Sequence, residues 1–187
     1  MKKAFLFILL IIITACKAQQ IYPLRPVPID LPENSYEKDT NNELQDYEGT
    51  WKGTWNGKTI WITLKKITYK YETALKYYRD YLIGKFVVKD ANGLILFDNT
   101  NLPDGNAKIK GINFRKYGDK YSFIYIDMDL CAMNGSGRFN FTDSTKTKLE
   151  WKYSEDENII DTDCFYYGWA QADRPQPLPN NIILTKQ

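Results

Sequence analysis

The stretch GTWKGTWNGKTIWITL, residues 49–64, decides the fold because it contains two strand-like runs joined by Asn56-Gly57. An Asn-Gly pair between runs rich in Trp, Thr and Ile predicts a β-hairpin with a two-residue type I′ turn. Such a turn fixes the register, so that Trp51 lies opposite Ile62. The stretch therefore predicts both the strands and their pairing.

This register gives the hairpin two different faces, because side chains alternate across a strand. The face predicted to point into the core carries Trp51, Trp55, Ile60, Ile62 and Leu64. The face predicted to point to solvent carries Thr50, Lys52, Thr54, Thr59, Trp61 and Thr63. Trp61 is thus expected to stand exposed among threonines and a lysine.

Later segments repeat the alternation. Phe86 and Val88 are predicted to share the inward face with Ile95 and Phe97 across a turn at residues 90–93, because loops of two or four residues preserve the same parity. The sequence therefore predicts a second hairpin with the same inward and outward sides.

A third hairpin is predicted at Gly118-Asp119, interpreted as a type II′ turn that places Phe114 opposite Phe123. The same register places Ile112 opposite Tyr125. Further alternating residues are Phe139, Phe141, Leu149, Trp151 and Tyr153, and residues 182–185 are expected to form a closing strand. Residues 69–81 have partly helical spacing but are interpreted as two strand ends around a loop.

Eight or nine sequential antiparallel strands and no long helix follow from these patterns. Strands joined by tight turns must close into a barrel or pack as two sheets to protect their edges. We therefore expect an all-β domain over residues 49–187, an antiparallel up-and-down β-barrel, with a two-sheet β-sandwich as the alternative.

The first residues of the chain have the pattern of an export signal. Two lysines precede an apolar run over residues 4–13, which predicts a signal peptide over residues 1–15. The run is too short to span a bilayer, which takes roughly 20 residues. The ending Ile-Thr-Ala-Cys resembles a bacterial lipobox, so we expect Cys16 to carry lipid such as palmitate. Cleavage after Ala18, giving a soluble secreted or periplasmic chain, is the alternative.

Charge and composition limit the classes of partner that the protein is expected to bind. Loss of Lys2 and Lys3 with the signal leaves equal numbers of basic and acidic side chains. The chain then has no excess of positive charge that would indicate binding to nucleic acid. Four prolines between residues 17 and 34 predict an extended spacer, so residues 16–48 are expected to hold the lipidated Cys, this spacer and a short helix. The expected location is the cell envelope, with the membrane as partner through the lipid.

Cysteine and histidine content limit the chemistry. Once Cys16 is assigned to the anchor or lost with the signal, Cys131 and Cys164 remain, and in an oxidising compartment such a pair predicts a disulfide. The chain contains no His, which excludes Ser-His-Asp, Cys-His and His-metal sites. No cofactor is expected.

Carboxylates are the remaining candidates for catalysis or metal binding. Acidic pairs flank the two cysteines, so a disulfide would bring them near one another; they are Asp127, Asp129, Asp161 and Asp163. Calcium prefers such oxygen ligands, but no Gly-containing calcium loop accompanies them, and solvated loop acids are the simpler interpretation. We expect no enzyme, and a carboxylate-dependent hydrolase is the alternative.

Aromatic residues suggest two binding modes. Those on inward faces either fill a small barrel or line a cavity for one small apolar ligand, and they are Trp51, Trp55, Phe114, Tyr125 and Trp151. On the outward face, Lys52, Trp61 and Thr63 could contact a protein partner or a glycan. The expected function is a binding module, and a purely structural envelope protein is a further alternative.

Two family resemblances accompany this pattern. Residues 49–51, Gly-Thr-Trp, resemble the Gly-x-Trp motif that opens the lipocalin barrel. The whole chain resembles a family of secreted or lipidated cell-envelope proteins of Gram-negative bacteria that is known as a domain of unknown function, through residues 17–20, 49–55 and 183–187. The resemblance implies an envelope location and no activity.

Overall fold

The computed structural model describes residues 18–26, 30–156 and 160–187. Its strands are β1 (Ile21–Pro23), β2 (Tyr36–Lys38), β3 (Gly49–Trp55), β4 (Lys58–Glu72), β5 (Tyr77–Lys89), β6 (Ile95–Asp98), β7 (Ile109–Phe114), β8 (Tyr121–Asp127), β9 (Met133–Phe141), β10 (Lys148–Glu155) and β11 (Asn181–Lys186). Short 3₁₀ turns lie at Leu44–Tyr47, Asp104–Asn106, Met128–Leu130 and Gln171–Asp173. Within these ranges no helix has the length and apolar character that a membrane span requires.

Strands β3 to β5 and β7 to β11 form a closed antiparallel barrel of eight strands. Successive barrel strands are neighbours, and the ring closes where β11 pairs with β3 through Lys186 and Trp51. Strand β6 lies outside the ring and pairs only with β5, so β5 pairs directly with β7 through Ile83 and Lys110. The predicted up-and-down barrel is confirmed, and its closure removes the sheet edges that an open sheet would expose.

The first hairpin has the predicted register. Trp51 lies opposite Ile62 and Trp55 lies opposite Lys58. Asn56 has a φ of 46° and Gly57 a φ of 74°, as a type I′ turn requires at both central positions. The first barrel strand, β3, begins at Gly49.

The predicted inward position of Ile95 is wrong. Val88 lies opposite Phe97, so these two share a face as predicted, but Ile95 lies opposite Lys89 because the register shifts between Val88 and Lys89. The shift places one extra residue in β6, and an extra residue moves every following side chain to the other face. Ile95 is therefore 52% exposed.

The predicted register of the hairpin between β7 and β8 is also wrong. Phe114 lies opposite Tyr121, and Gly111 lies opposite Phe123, with a register shift between these two pairs. The Arg115 N–H donates to the Lys120 carbonyl at 2.7 Å, so the turn is longer than two residues. Tyr125 then pairs with Ile109 rather than with Ile112. The bulge, which depends on packing between the strands, explains the error.

Residues before the barrel lie against its wall. Strand β1 pairs in parallel with β2, and β2 pairs in parallel with β5. Leu24 is buried, and the Arg25 guanidinium lies 3.9 Å above the centre of the Phe114 ring. Part of the segment expected to be a spacer therefore packs on the barrel. The predicted signal peptide and Cys16 lie outside the described residues.

Candidate functional site

The barrel interior is filled by aromatic side chains. Of the five residues predicted to line a cavity, Trp51, Phe114, Tyr125 and Trp151 are at most 1% exposed, and Trp55 is half-buried. The Trp151 ring stacks on Phe123 at a centroid distance of 4.3 Å. This packing corresponds to the first of the two predicted uses, in which the rings fill the barrel.

Both buried indole groups have hydrogen-bond partners. The Trp51 Nε1–H donates to the Tyr47 carbonyl at 2.8 Å, and the Trp151 Nε1–H donates to the Pro179 carbonyl at 3.0 Å. A buried indole N–H needs such a partner. Each tryptophan therefore fixes a segment outside the barrel strands, one before β3 and one before β11, across the ends of the barrel.

Outside the barrel, Trp61 lies between two lysines. The Nζ atoms of Lys52 and Lys89 lie 5.4 and 5.7 Å from the centre of its ring, within the range of cation–π attraction. Trp61 is half-buried rather than fully exposed, because these side chains cover it. We call the outward side of β3, β4 and β5 the Trp61 face, formed by Thr50, Lys52, Thr54, Thr59, Trp61, Thr63, Lys65, Lys85, Val87 and Lys89.

The Trp61 face is basic. Asp104 accepts from Lys65 at 2.6 Å and pairs with Lys85 at 2.8 Å, and these contacts hold the pKa of its carboxyl below the usual range. Lys52 and Lys89 take part in none of the ion pairs among the described residues. Lys89 nevertheless has an acidic neighbour, since its charge contributes to the lowered pKa of the Asp98 carboxyl.

The four predicted carboxylates are already engaged or solvent-facing. The Lys108 ammonium donates to Asp127 at 2.6 Å and to Asp129 at 2.7 Å. Burial opposes the charge of Lys108, but these two bonds outweigh it and raise its pKa. The Asp161 carboxylate accepts from the Thr162 N–H at 2.6 Å, and Asp163 is exposed. Over the described residues, no group of three or more Cys, Asp or Glu side chains is arranged to bind a metal.

The predicted disulfide between Cys131 and Cys164 is confirmed, with a Cα–Cα distance of 5.7 Å. It joins the turn after β8 to the long connection between β10 and β11. Directly after Cys164 comes a segment that we call the aromatic loop, residues 165–169, in which Phe165 is 78% and Trp169 43% exposed. None of the sites predicted from the sequence includes this loop, although the run Phe-Tyr-Tyr-Gly-Trp beside a cysteine is a visible signal.

A cavity of about 510 Å³ opens at the same end of the barrel. We call it the end cavity, and its walls come from the starts or ends of β9 and β10 and from the connection before β11; they are Met133, Tyr153, Ser154, Glu155, Gln171, Ala172, Gln176, Pro177, Leu178 and Asn180. Desolvation raises the pKa of Glu155, and the charge of Arg174 opposes this shift. No sequence motif indicated the cavity, because its residues are brought together only by barrel closure.

These features define the class of protein: a closed, eight-stranded antiparallel β-barrel, similar in architecture to lipocalins, with an aromatic-filled interior and polar features outside it. The chain belongs to a family of unknown function, DUF6705, whose model matches residues 1–187. No curated protein and no solved structure matches it.

Proposed function

We propose that the protein is a binding module of the cell envelope that contacts an acidic partner protein through the Trp61 face. The observation that carries the proposal is the position of Trp61 between the Lys52 and Lys89 ammonium groups on an outer barrel wall. The packed interior supports an external site over the alternative of a small apolar ligand held inside.

Trp61 is the residue of this face that belongs to a type dominant in protein interfaces. Tryptophan is enriched among the few residues that carry most of the binding energy, especially where surrounding contacts exclude water. Carboxylates of a partner could pair with Lys52 and Lys89, and basic surfaces of this kind speed association with an acidic surface. Binding through this face should therefore weaken as salt concentration rises.

Apolar side chains at the edge of the face favour a protein partner over a polysaccharide. Strand β6 borders β5 on this side, and Leu94, Ile95 and Leu96 are 64%, 52% and 37% exposed. Exposed aliphatic side chains next to an aromatic and flanking lysines resemble an interface core with a charged rim. A glycan would leave these aliphatic side chains in water.

The proposed module is also tethered by a lipid on Cys16 and binds its partner without catalysing a reaction. A lipid on Cys16 would keep the barrel at a membrane, where a neighbouring envelope protein is within reach. Binding without catalysis is supported by the lack of His, the most common general acid or base.

Site-specific photo-crosslinking in living cells tests the proposal. A photoreactive residue replaces Thr63, on the Trp61 face, or Ser136, which is exposed on β9 at the opposite wall of the barrel. We expect a protein adduct of defined mass in the membrane fraction from position 63 and none from position 136. Lys52→Glu combined with Lys89→Glu should abolish the adduct, because charge reversal makes the face repel an acidic partner.

Two outcomes would contradict this function. The same set of adducts from both positions would mean random collisions rather than a specific site. An adduct at position 63 that survives both charge reversals and Trp61→Ala would mean that the partner is recognised through other residues.

A further inference from the structure

The long hairpin of β4 and β5 extends beyond the barrel, and one side of this extension carries tyrosines. Residues 77–79 of β5 lie before its pairing with β7 at Ile83, and their neighbour there is β2, followed by β1. Directly opposite residues of neighbouring strands share a face. Four residues are aligned in this way and a fifth stacks on them; we call them the tyrosine row, formed by Ile21, Tyr36, Tyr78, Tyr71 and Tyr69. Ile21 is 56%, Tyr69 50% and Tyr71 38% exposed, so the row presents apolar rings to its surroundings.

Tyr69 joins the row through a strained backbone. The register of β4 with β5 shifts between Ile67 and Lys70, and within this bulge Tyr69 has a φ of 51°. A bulky side chain rarely adopts this left-handed conformation. The Tyr69 N–H donates to the Asp80 carboxylate at 2.9 Å, and its ring stacks on Tyr78 at a centroid distance of 4.3 Å. Bulges that redirect a side chain are frequent at barrel rims and next to functional sites, which points to a role for this surface.

The first described residues of the chain are attached to this row. The Gln19 side chain accepts from the Tyr69 hydroxyl at 3.1 Å and donates to the Asn34 carbonyl at 2.7 Å. Cys16, the residue that we propose to be lipidated, is three positions before Gln19 in the sequence. An extended chain covers at most about 3.5 Å per residue, so a lipid on Cys16 would be attached within roughly 11 Å of Gln19.

This distance is short on the scale of a membrane surface. The headgroup region on each side of a bilayer is roughly 5–8 Å thick, so a lipid on Cys16 would bring the tyrosine row to the level of the headgroups. Tyrosine suits that level, because its ring is apolar and its hydroxyl is polar. Two carboxylates beside the row are already bonded: Asp80 accepts from the Tyr36 hydroxyl at 2.7 Å, and Glu33 pairs with Lys76 at 2.7 Å.

From these contacts we infer that the tyrosine row docks on the lipid surface of the membrane, with its rings at headgroup level. The inference rests on the lipid tether of the proposed function and adds which end of the barrel faces the membrane. Strands β5 and β8 both run from this end to the opposite one, since each is antiparallel to β7, and the seven residues of β8 cover roughly 20 Å. The aromatic loop, bonded through Cys164 to the turn after β8, therefore points away from the membrane. The Trp61 face, on the outer wall, stays accessible to a neighbouring protein.

Photo-crosslinking of the full chain in living cells tests the inference. A photoreactive phenylalanine derivative replaces either Tyr71 in the row or Phe165 in the aromatic loop, which is the more exposed of the two. Protein purified from the membrane fraction is then analysed by intact mass for an adduct with one phospholipid. We expect this adduct from position 71 and none from position 165, because the opposite end of the barrel lies beyond the headgroup layer.

Two exposed isoleucines provide a matched pair of variants. Ile21 lies in the row, whereas Ile183 lies on the barrel wall at β11 and is 50% exposed. Ile21→Glu puts a charge where the row would contact lipid, so we expect loss of most of the phospholipid adduct from position 71. Ile183→Glu should leave the yield of this adduct unchanged. Both variants should keep the denaturant midpoint of the unmodified protein, because glutamate at either position stays in water.

The intact mass of the same samples also reports the lipid on Cys16, which separates two kinds of failure. Lipidated protein that gives no phospholipid adduct from position 71, equal adducts from both positions, or an undiminished yield with Ile21→Glu would overturn the docking and leave the tether intact. An adduct of position 71 with a second copy of the chain or another protein, in place of lipid, would also overturn it. Protein without lipid on Cys16 would contradict the tether and the docking together.

Discussion

At the scale of single residues, Trp51 and Trp61 show how one register separates two roles. They lie on neighbouring strands of one hairpin, yet Trp51 is 0% exposed and bonded to the Tyr47 carbonyl, while Trp61 lies outside under two lysines. The alternation of side chains across a strand puts them on opposite sides. One tryptophan therefore stabilises the core, and the other belongs to the outer wall that we propose as a binding face.

The two alanine variants should differ strongly in stability. Trp51→Ala leaves a large cavity and removes a buried hydrogen bond, so we expect a loss of about 3–5 kcal/mol in the free energy of unfolding. Trp61→Ala should cost about 1 kcal/mol or less, because its ring has water or flexible lysine chains on one side. Denaturant unfolding followed by circular dichroism measures both, and equal costs would contradict the assignment of faces.

At the scale of elements, the disulfide anchors the longest connection of the barrel. The connection between β10 and β11 contains the exposed aromatic loop and part of the lining of the end cavity, and its fixed points include Cys164 and the Pro179 carbonyl bonded to Trp151. The two cysteines are 33 positions apart in the sequence. Cross-linking such a segment restricts the unfolded chain as well as the loop itself.

Removal of the disulfide should loosen this end of the molecule. For Cys131→Ser with Cys164→Ser we expect a loss of about 3 kcal/mol in the free energy of unfolding. Limited proteolysis should cut the double variant within residues 160–175 faster than the unmodified protein, while the barrel strands resist. Reduction of the unmodified protein with a thiol serves as the control and should reproduce both effects; unchanged denaturant midpoints would refute a stabilising role.

At the scale of the whole molecule, a filled barrel leaves little room for added atoms. The inward faces of β8, β9 and β10 carry rings that pack on one another, as in the stack of Phe123, Phe139 and Trp151. Gly137 lies between β8 and β10 in this region. A Cβ added there would overlap the Phe123 ring and the Lys152 carbonyl oxygen, which belongs to a neighbouring backbone.

Gly137→Ala should therefore destabilise the barrel by about 2 kcal/mol or more, since a strand must shift to admit one methyl group. Gly105→Ala is the matched control, because a Cβ there meets no atom within 4 Å and the backbone has no left-handed φ. We expect this control to stay within about 0.5 kcal/mol of the unmodified protein. Thermal unfolding of both variants measures the difference, and a tolerated Gly137→Ala would argue for a loosely packed interior.

The sequence by itself determined the features that depend on local chemistry. Asn56-Gly57 fixed the turn type and hence the register of β3 with β4, because few dipeptides adopt two successive positive φ values. Alternation along β9 and β10 identified the inward residues, and once Cys16 was assigned to the anchor or the signal, Cys131 and Cys164 were the one pair left to form a disulfide. These inferences needed only neighbours in the chain, or a count of residues.

Only the tertiary structure decided the features that depend on contacts between distant strands. The bulge that turns Ile95 outward, the direct pairing of β5 with β7 and the longer turn before Tyr121 follow from how strands fit around the ring. The end cavity is the clearest case, since Met133, Tyr153 and Gln176 meet only when the barrel closes and the last connection crosses its end. Turn residues act on only a few neighbouring positions of the chain. Bulges and cavities depend on packing between distant strands, so a local sequence pattern does not predict them.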